Sequence, residues 1–69
     1  MAVPMFPVRS SRITFIGWED GTLYVSFTKG ATYKYSAVSK DAFDEMLASD
    51  SVGVYFEHNI KGHYNSEEV

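Results

Sequence analysis

Two hydrophobic periods follow one another along the chain. From Arg12 to Trp18 the run R-I-T-F-I-G-W is rich in β-branched and aromatic residues, E-D-G follows as a turn signal, and T-L-Y-V-S-F-T alternates apolar with mostly polar positions. That pattern predicts a hairpin. T-K-G then leads into A-T-Y-K-Y-S, a third strand completing an antiparallel meander. After Val38 the period lengthens: Ser39 is placed to N-cap a helix with Asp41 in its first turn, and Phe43, Met46 and Leu47 recur at helical spacing. Val38 and Phe43 fit a hydrophobic staple across that cap. S-D-S at 49–51 breaks the helix and caps a second, in which Val52, Tyr55, Phe56, Asn59 and Ile60 share one face and Gly62 is a natural stop. The pattern predicts an α+β fold, a three-stranded antiparallel β-meander followed by two short α-helices packed on one face. Around that single domain, residues 9–64, Pro4 and Pro7 mark residues 1–8 as an extended arm, and residues 65–69 form a polar, frayed tail.

Loop length decides where the tyrosines of Y-K-Y point. A two-residue loop, Lys29-Gly30, would put Tyr33 and Tyr35 on the face opposite Leu23, Val25 and Phe27, and would ask Lys29 for a positive φ. A three-residue loop, Thr28-Lys29-Gly30, needs positive φ only at Gly30, and it opposes Val25 to Tyr33 and Leu23 to Tyr35. Turn chemistry favours the second, so both tyrosines are read as core wall in preference to an aromatic platform for a ligand. Strand one stays open: E-D-G as a three-residue loop turns Ile13 and Phe15 inward, whereas D-G alone turns Ile16 and Trp18 inward. Both of its faces are apolar, and one helical layer covers only one sheet face. The excess implies that the arm folds over the second face or that another chain covers it, which makes a homo-oligomer an expectation.

Composition limits the class. At 69 residues a single apolar core is marginal, and without cysteine no disulfide adds to it. Five tyrosines, five phenylalanines and Trp18 make a small stable core feasible. A net charge of -3 denies the molecule the overall positive field of a generic nucleic-acid binder, leaving room only for a local basic patch. M-A-V-P-M-F-P-V lacks a charged n-region and is a poor signal peptide; no run is apolar enough to span a membrane. A cytoplasmic location, with no membrane partner, is expected.

Four stretches together carry a family resemblance: S-S at 10–11, I-G-W at 16–18, L-Y-V-S-F-T-K-G-A-T-Y-K-Y-S-A-V at 23–38, and S-V-G-V-Y-F-E-H-N-I-K-G-H-Y at 51–64. They resemble the KTSC domain, found at the C-terminus of some lysyl-tRNA synthetases and as small free-standing bacterial and phage proteins. The matching positions are Ser10, Ser11, Gly30, Tyr33, Tyr35, Ser51, Gly53, Phe56, Ile60 and Tyr64. The synthetase linkage implies RNA as a ligand. Three positions depart from the pattern: Glu57 replaces a neutral polar residue, His63 a base, and Trp18 the commoner Tyr. The first two lower the positive charge that RNA binding needs.

The strongest candidate site joins Arg9, Ser10 and Ser11, ahead of strand one, to Asn59, Lys61, His63 and Tyr64 at the end of helix two. If the termini meet, these supply cations, hydroxyls and an amide suited to a phosphate or ribose. Four of the seven also have an ordinary structural role: Ser10-Ser11 shape a turn, Lys61 complements a helix C-terminus, and Tyr64 packs on the sheet. His58 and His63, five apart, lie off a common helical face, so neither a metal site nor any cofactor is expected. No nucleophile elbow, phosphate loop or paired-carboxylate spacing appears, and the chain reads as a non-enzyme. Two functions remain: a non-catalytic binding module for RNA or a nucleotide-type phosphate ligand, and a protein-interaction or self-assembly domain of a small bacterial or phage accessory or inhibitor protein.

Overall fold

A computed structural model describes residues 4–69. Strand β1 spans Met5–Pro7, β2 Ile13–Glu19, β3 Thr22–Phe27 and β4 Thr32–Tyr35; helix α1 spans Lys40–Ala48 and α2 Val52–Tyr55, running on into a π-helical turn, Phe56–Ile60, before β5, Ser66–Glu68. All five strands form one antiparallel sheet in chain order, with both helices inserted between β4 and β5.

Turn chemistry sets the register of the central strands. Asp20 and Gly21 both have positive φ, 49° and 80°, so the β2–β3 loop is the two-residue D-G turn, and Ile16 and Trp18 face inward opposite Val25 and Leu23. A bulge between Ile13 and Phe15 shifts the pairing and returns Ile13 to the same face, leaving Phe15 on the other. At the next hairpin Gly30 alone takes positive φ, 96°, and Val25 opposes Tyr33 while Leu23 opposes Tyr35. This is the register of the three-residue loop.

The inner sheet face and the helices close on one core. Ile13, Ile16, Leu23, Val25 and Tyr35 meet Val38, Phe43, Met46, Val52, Phe56 and Ile60, all buried. Each such side chain contributes about 1.5–3 kcal/mol by leaving water. Ser39 Oγ accepts from Ala42 N at 3.2 Å and Ser51 Oγ from Val54 N at 3.3 Å, capping the two helices where the sequence places them. Trp18 Nε1 donates to the Val38 carbonyl at 2.7 Å, tying β2 to the segment that enters α1.

The expectation of three strands is corrected to five. Within the arm, Met5–Pro7 pairs edge-on with β2 and does not fold over the second face; in the tail, Ser66–Glu68 pairs with β4, and Val69 N donates to the Thr32 carbonyl at 2.9 Å. Residues 1–3 of the expected arm lie outside the described residues. An unpaired edge recruits any extended segment whose backbone can reach it, whatever its side chains. Hydrophobic alternation therefore gives no sign of three-residue edge strands, one bounded by prolines and the other wholly exposed. Helix two also differs in detail: Val52, Phe56 and Ile60 are buried, but Asn59 is exposed because the π turn, closed by Lys61 N to the Phe56 carbonyl at 2.8 Å, rotates it off the apolar face.

Candidate functional site

Where α2 diverges from the β3–β4 hairpin, an open groove of about 710 Å³ lies over the far end of the inner sheet face. Its floor is aromatic. Phe27 meets Tyr33 and Phe56 edge-on, with centroids 5.8 and 5.5 Å apart, and Phe56 meets Tyr35 in the same way at 5.5 Å. Tyr35 is buried, while Phe27 and Tyr33 keep part of their rings open to the groove. Burial, and then the charge of Tyr33, raise the Tyr35 phenol above its ordinary pKa of 10.0.

Three cations stand around this floor: Arg12 from the loop before β2, Lys29 from the hairpin tip, and Lys61 just past the π turn. Hydrogen bonds tie the walls together. Thr28 N donates to the Arg12 carbonyl at 2.8 Å and Thr28 Oγ1 to the Ser11 carbonyl at 3.4 Å, fastening the hairpin tip to the loop. Ser10 Oγ accepts from the amides of Arg12 and Ile13 at 3.3 and 3.4 Å, and a Cβ at Gly53 would lie 2.8 Å from that oxygen. Glycine is what lets the start of α2 approach the loop so closely. One turn later, Glu57 pairs with Arg12 across the groove wall. Among the described residues neither Lys29 nor Lys61 is paired with a carboxylate.

The sequence-derived cluster is therefore divided. Ser11 and Lys61 share the groove. Ser10 lies beneath its wall, its oxygen turned to backbone amides. His63 and Tyr64 instead line a separate depression of about 290 Å³ with Ser36, Ala37, Gly62 and Asn65. Arg9 is exposed and lines neither, and the Asn59 amide donates to the Tyr55 carbonyl at 3.3 Å. His58 is exposed, and among the described residues no three histidines or carboxylates gather as metal ligands. Tyr55 donates to Glu45 at 3.3 Å; burial first, then the carboxylate, raise its pKa.

Arg12, Lys29, Phe27, Phe56 and Glu57 are among the groove residues that pattern reading misses. Lys29 was within reach, since a three-residue loop puts it at the hairpin tip next to Tyr33. Glu57 and Arg12 are far apart in sequence, and only the approach of α2 to the loop joins them.

Residues 9–64 match the KTSC domain family. The chain is 36% identical over 64 residues to a protein of Tsukamurella paurometabola, covering 90% of this chain and 96% of that one. It also superposes on the crystal structure of a KTSC domain protein from Yersinia pestis with a TM-score of 0.91 and 34% identity, over 99% of each chain.

Proposed function

The chain belongs to the KTSC domain family, and from that premise we propose that it is a non-catalytic binding module whose groove takes a phosphate-bearing ligand, RNA or a nucleotide. The observation that carries this reading is the pairing of an aromatic floor with Lys29 and Lys61, two cations unpaired among the described residues, on a molecule of net charge -3. A base stacks on an aromatic face regardless of sequence, and ammonium groups at the rim attract phosphate. The volume also falls within the range of small-molecule sites. The test is an amide NMR titration at low salt with a short mixed-sequence RNA and with nucleotides. Shifts at Ser11, Arg12, Lys29, Tyr33 and Lys61 are the expected result; silence there at low salt removes the reading.

A second reading, a protein-interaction or self-assembly domain, is supported by the outer sheet face. Register places Met5, Pro7, Phe15 and Tyr24 on the side away from the helices, with Phe15 43% exposed. Light scattering that returns a strict monomer across concentrations, together with no partner recovered by the immobilised protein, would remove it.

A further inference from the structure

Glu57 is the sole carboxylate among the described residues lining the groove, and a carboxylate beside a phosphate site weakens that site unless it reads some other group. Its placement is a product of the fold. The π turn carries it on the helix that Gly53 brings against the Ser10 loop, and there it meets Arg12. The two side chains remain 66% and 36% exposed, and an ion pair so open to water adds only about 0.2–1 kcal/mol to stability. Stability is thus a weak reason for the pair. What it does present to the groove is an acceptor and a fork of donors side by side, next to rings on which a base can stack.

The base edges differ in how they meet such a pair. Guanine carries N1–H and N2–H as adjacent donors that a carboxylate accepts together, with O6 beside them for a guanidinium. Uracil flanks its one N–H with carbonyls that repel a carboxylate, and in adenine and cytosine the amino group adjoins a ring-nitrogen acceptor. We propose that Glu57 determines specificity in the groove by accepting from guanine N1–H and N2–H, while Arg12 donates to O6 and the phosphate is left to Lys29 and Lys61. This rests on the phosphate-ligand reading above and adds the base.

The experiment titrates the full chain with GMP, IMP, AMP and UMP, and with single-stranded RNA hexamers that contain or lack guanine, followed by calorimetry and amide shifts. GMP should bind about tenfold more tightly than AMP or UMP, with IMP, which lacks the N2 amino group, in between. Glu57→Gln should abolish that order and, by freeing Arg12, bind UMP more tightly than the wild type does. A purely structural Glu57 would move all four nucleotides in one direction. Glu57→Asp, which keeps the charge but withdraws it, should lower the guanine preference if the amide variant fails to fold. A preference seen only in the hexamers identifies a strand as the source of the base, and one seen with GMP a free nucleotide. Equal affinity for all four nucleotides and both hexamers overturns the assignment of Glu57 while leaving the groove reading standing. Absence of groove binding by every ligand removes both.

Discussion

One close contact and one buried phenol set how the groove is built and when it fails. Gly53 is where α2 meets the loop, and an added Cβ would sit 2.8 Å from Ser10 Oγ but 4.0 Å from Ser10 Cβ. An alanine at 53 makes the Ser10 hydroxyl turn away and give up its two amide bonds, an overpacking cost of about 1–3 kcal/mol set against a gain of about 1 kcal/mol in helix propensity, so Gly53→Ala should be mildly destabilising. In the background of Ser10→Ala the clash is gone, so the alanine at 53 should cost much less there; urea midpoints of the four proteins in the double-mutant cycle measure the difference, and simple additivity would show that the contact is not the cause. Tyr35 contributes to the alkaline limit. Its phenol titrates higher in the folded protein than its ordinary 10.0, so the fold favours the neutral form. That advantage is complete below about pH 10 and is lost as pH rises through the folded value, where the ionised ring no longer tolerates its site. Stability should accordingly fall above pH 10, and Tyr35→Phe should flatten that fall in thermal melts taken from pH 9 to 11.

At the scale of elements, the sheet is strong in the middle and guarded at its edges. Pro4 precedes and Pro7 ends the outermost strand on one side, and Glu67 and Glu68 lie in the outermost strand on the other. Missing N–H groups and charge both discourage a further strand from adding. β5 contributes no buried side chain; backbone bonds and the exposed Lys34–Glu67 pair at 3.5 Å hold it. Net hydrogen-bond gains of about 1 kcal/mol each are offset by about 1–2 kcal/mol per residue ordered. Deleting Ser66–Val69 should thus shift the unfolding midpoint only slightly, yet it bares the β4 edge, and light scattering should detect more self-association than in the full chain. The same physics explains what the sequence made legible. The three inner strands, both serine caps and the register of Tyr33 and Tyr35 follow from alternation, capping and turn chemistry, all local signals. The edge strands have no side-chain pattern, and the choice of D-G over E-D-G turns on two apolar faces that differ little in sequence. Of the groove, Ser11 and Lys61 were visible because each flanks an element end. Arg12 and Glu57 become partners only after α2 has docked.

The whole molecule has a radius of gyration of 10.6 Å, near the roughly 11 Å expected of a folded chain this long, so its charges lie close together. A ligand phosphate approaching the groove then feels two opposed fields: the general repulsion of net charge -3 and the local attraction of Lys29 and Lys61. Salt separates them. Exposed charges beyond about 8–10 Å are largely screened at physiological ionic strength, so the diffuse repulsion fades there while contacts at the rim persist in part. Each phosphate neutralised on a single strand adds about 0.7 to the negative slope of log K against log salt. Lys61→Ala and Lys29→Ala should each lower the slope for a short RNA by about that amount and weaken binding uniformly across sequences. Lys40→Ala supplies the control, since its ammonium is already engaged with Asp44 at 3.3 Å on α1 and lines neither depression. It removes the same unit of charge from the molecule but no contact with the ligand, so it should change the slope far less than either rim variant, by the slight strengthening of the general repulsion alone. If all three variants altered the slope alike, the response would belong to net charge, and the rim lysines would have no contact of their own.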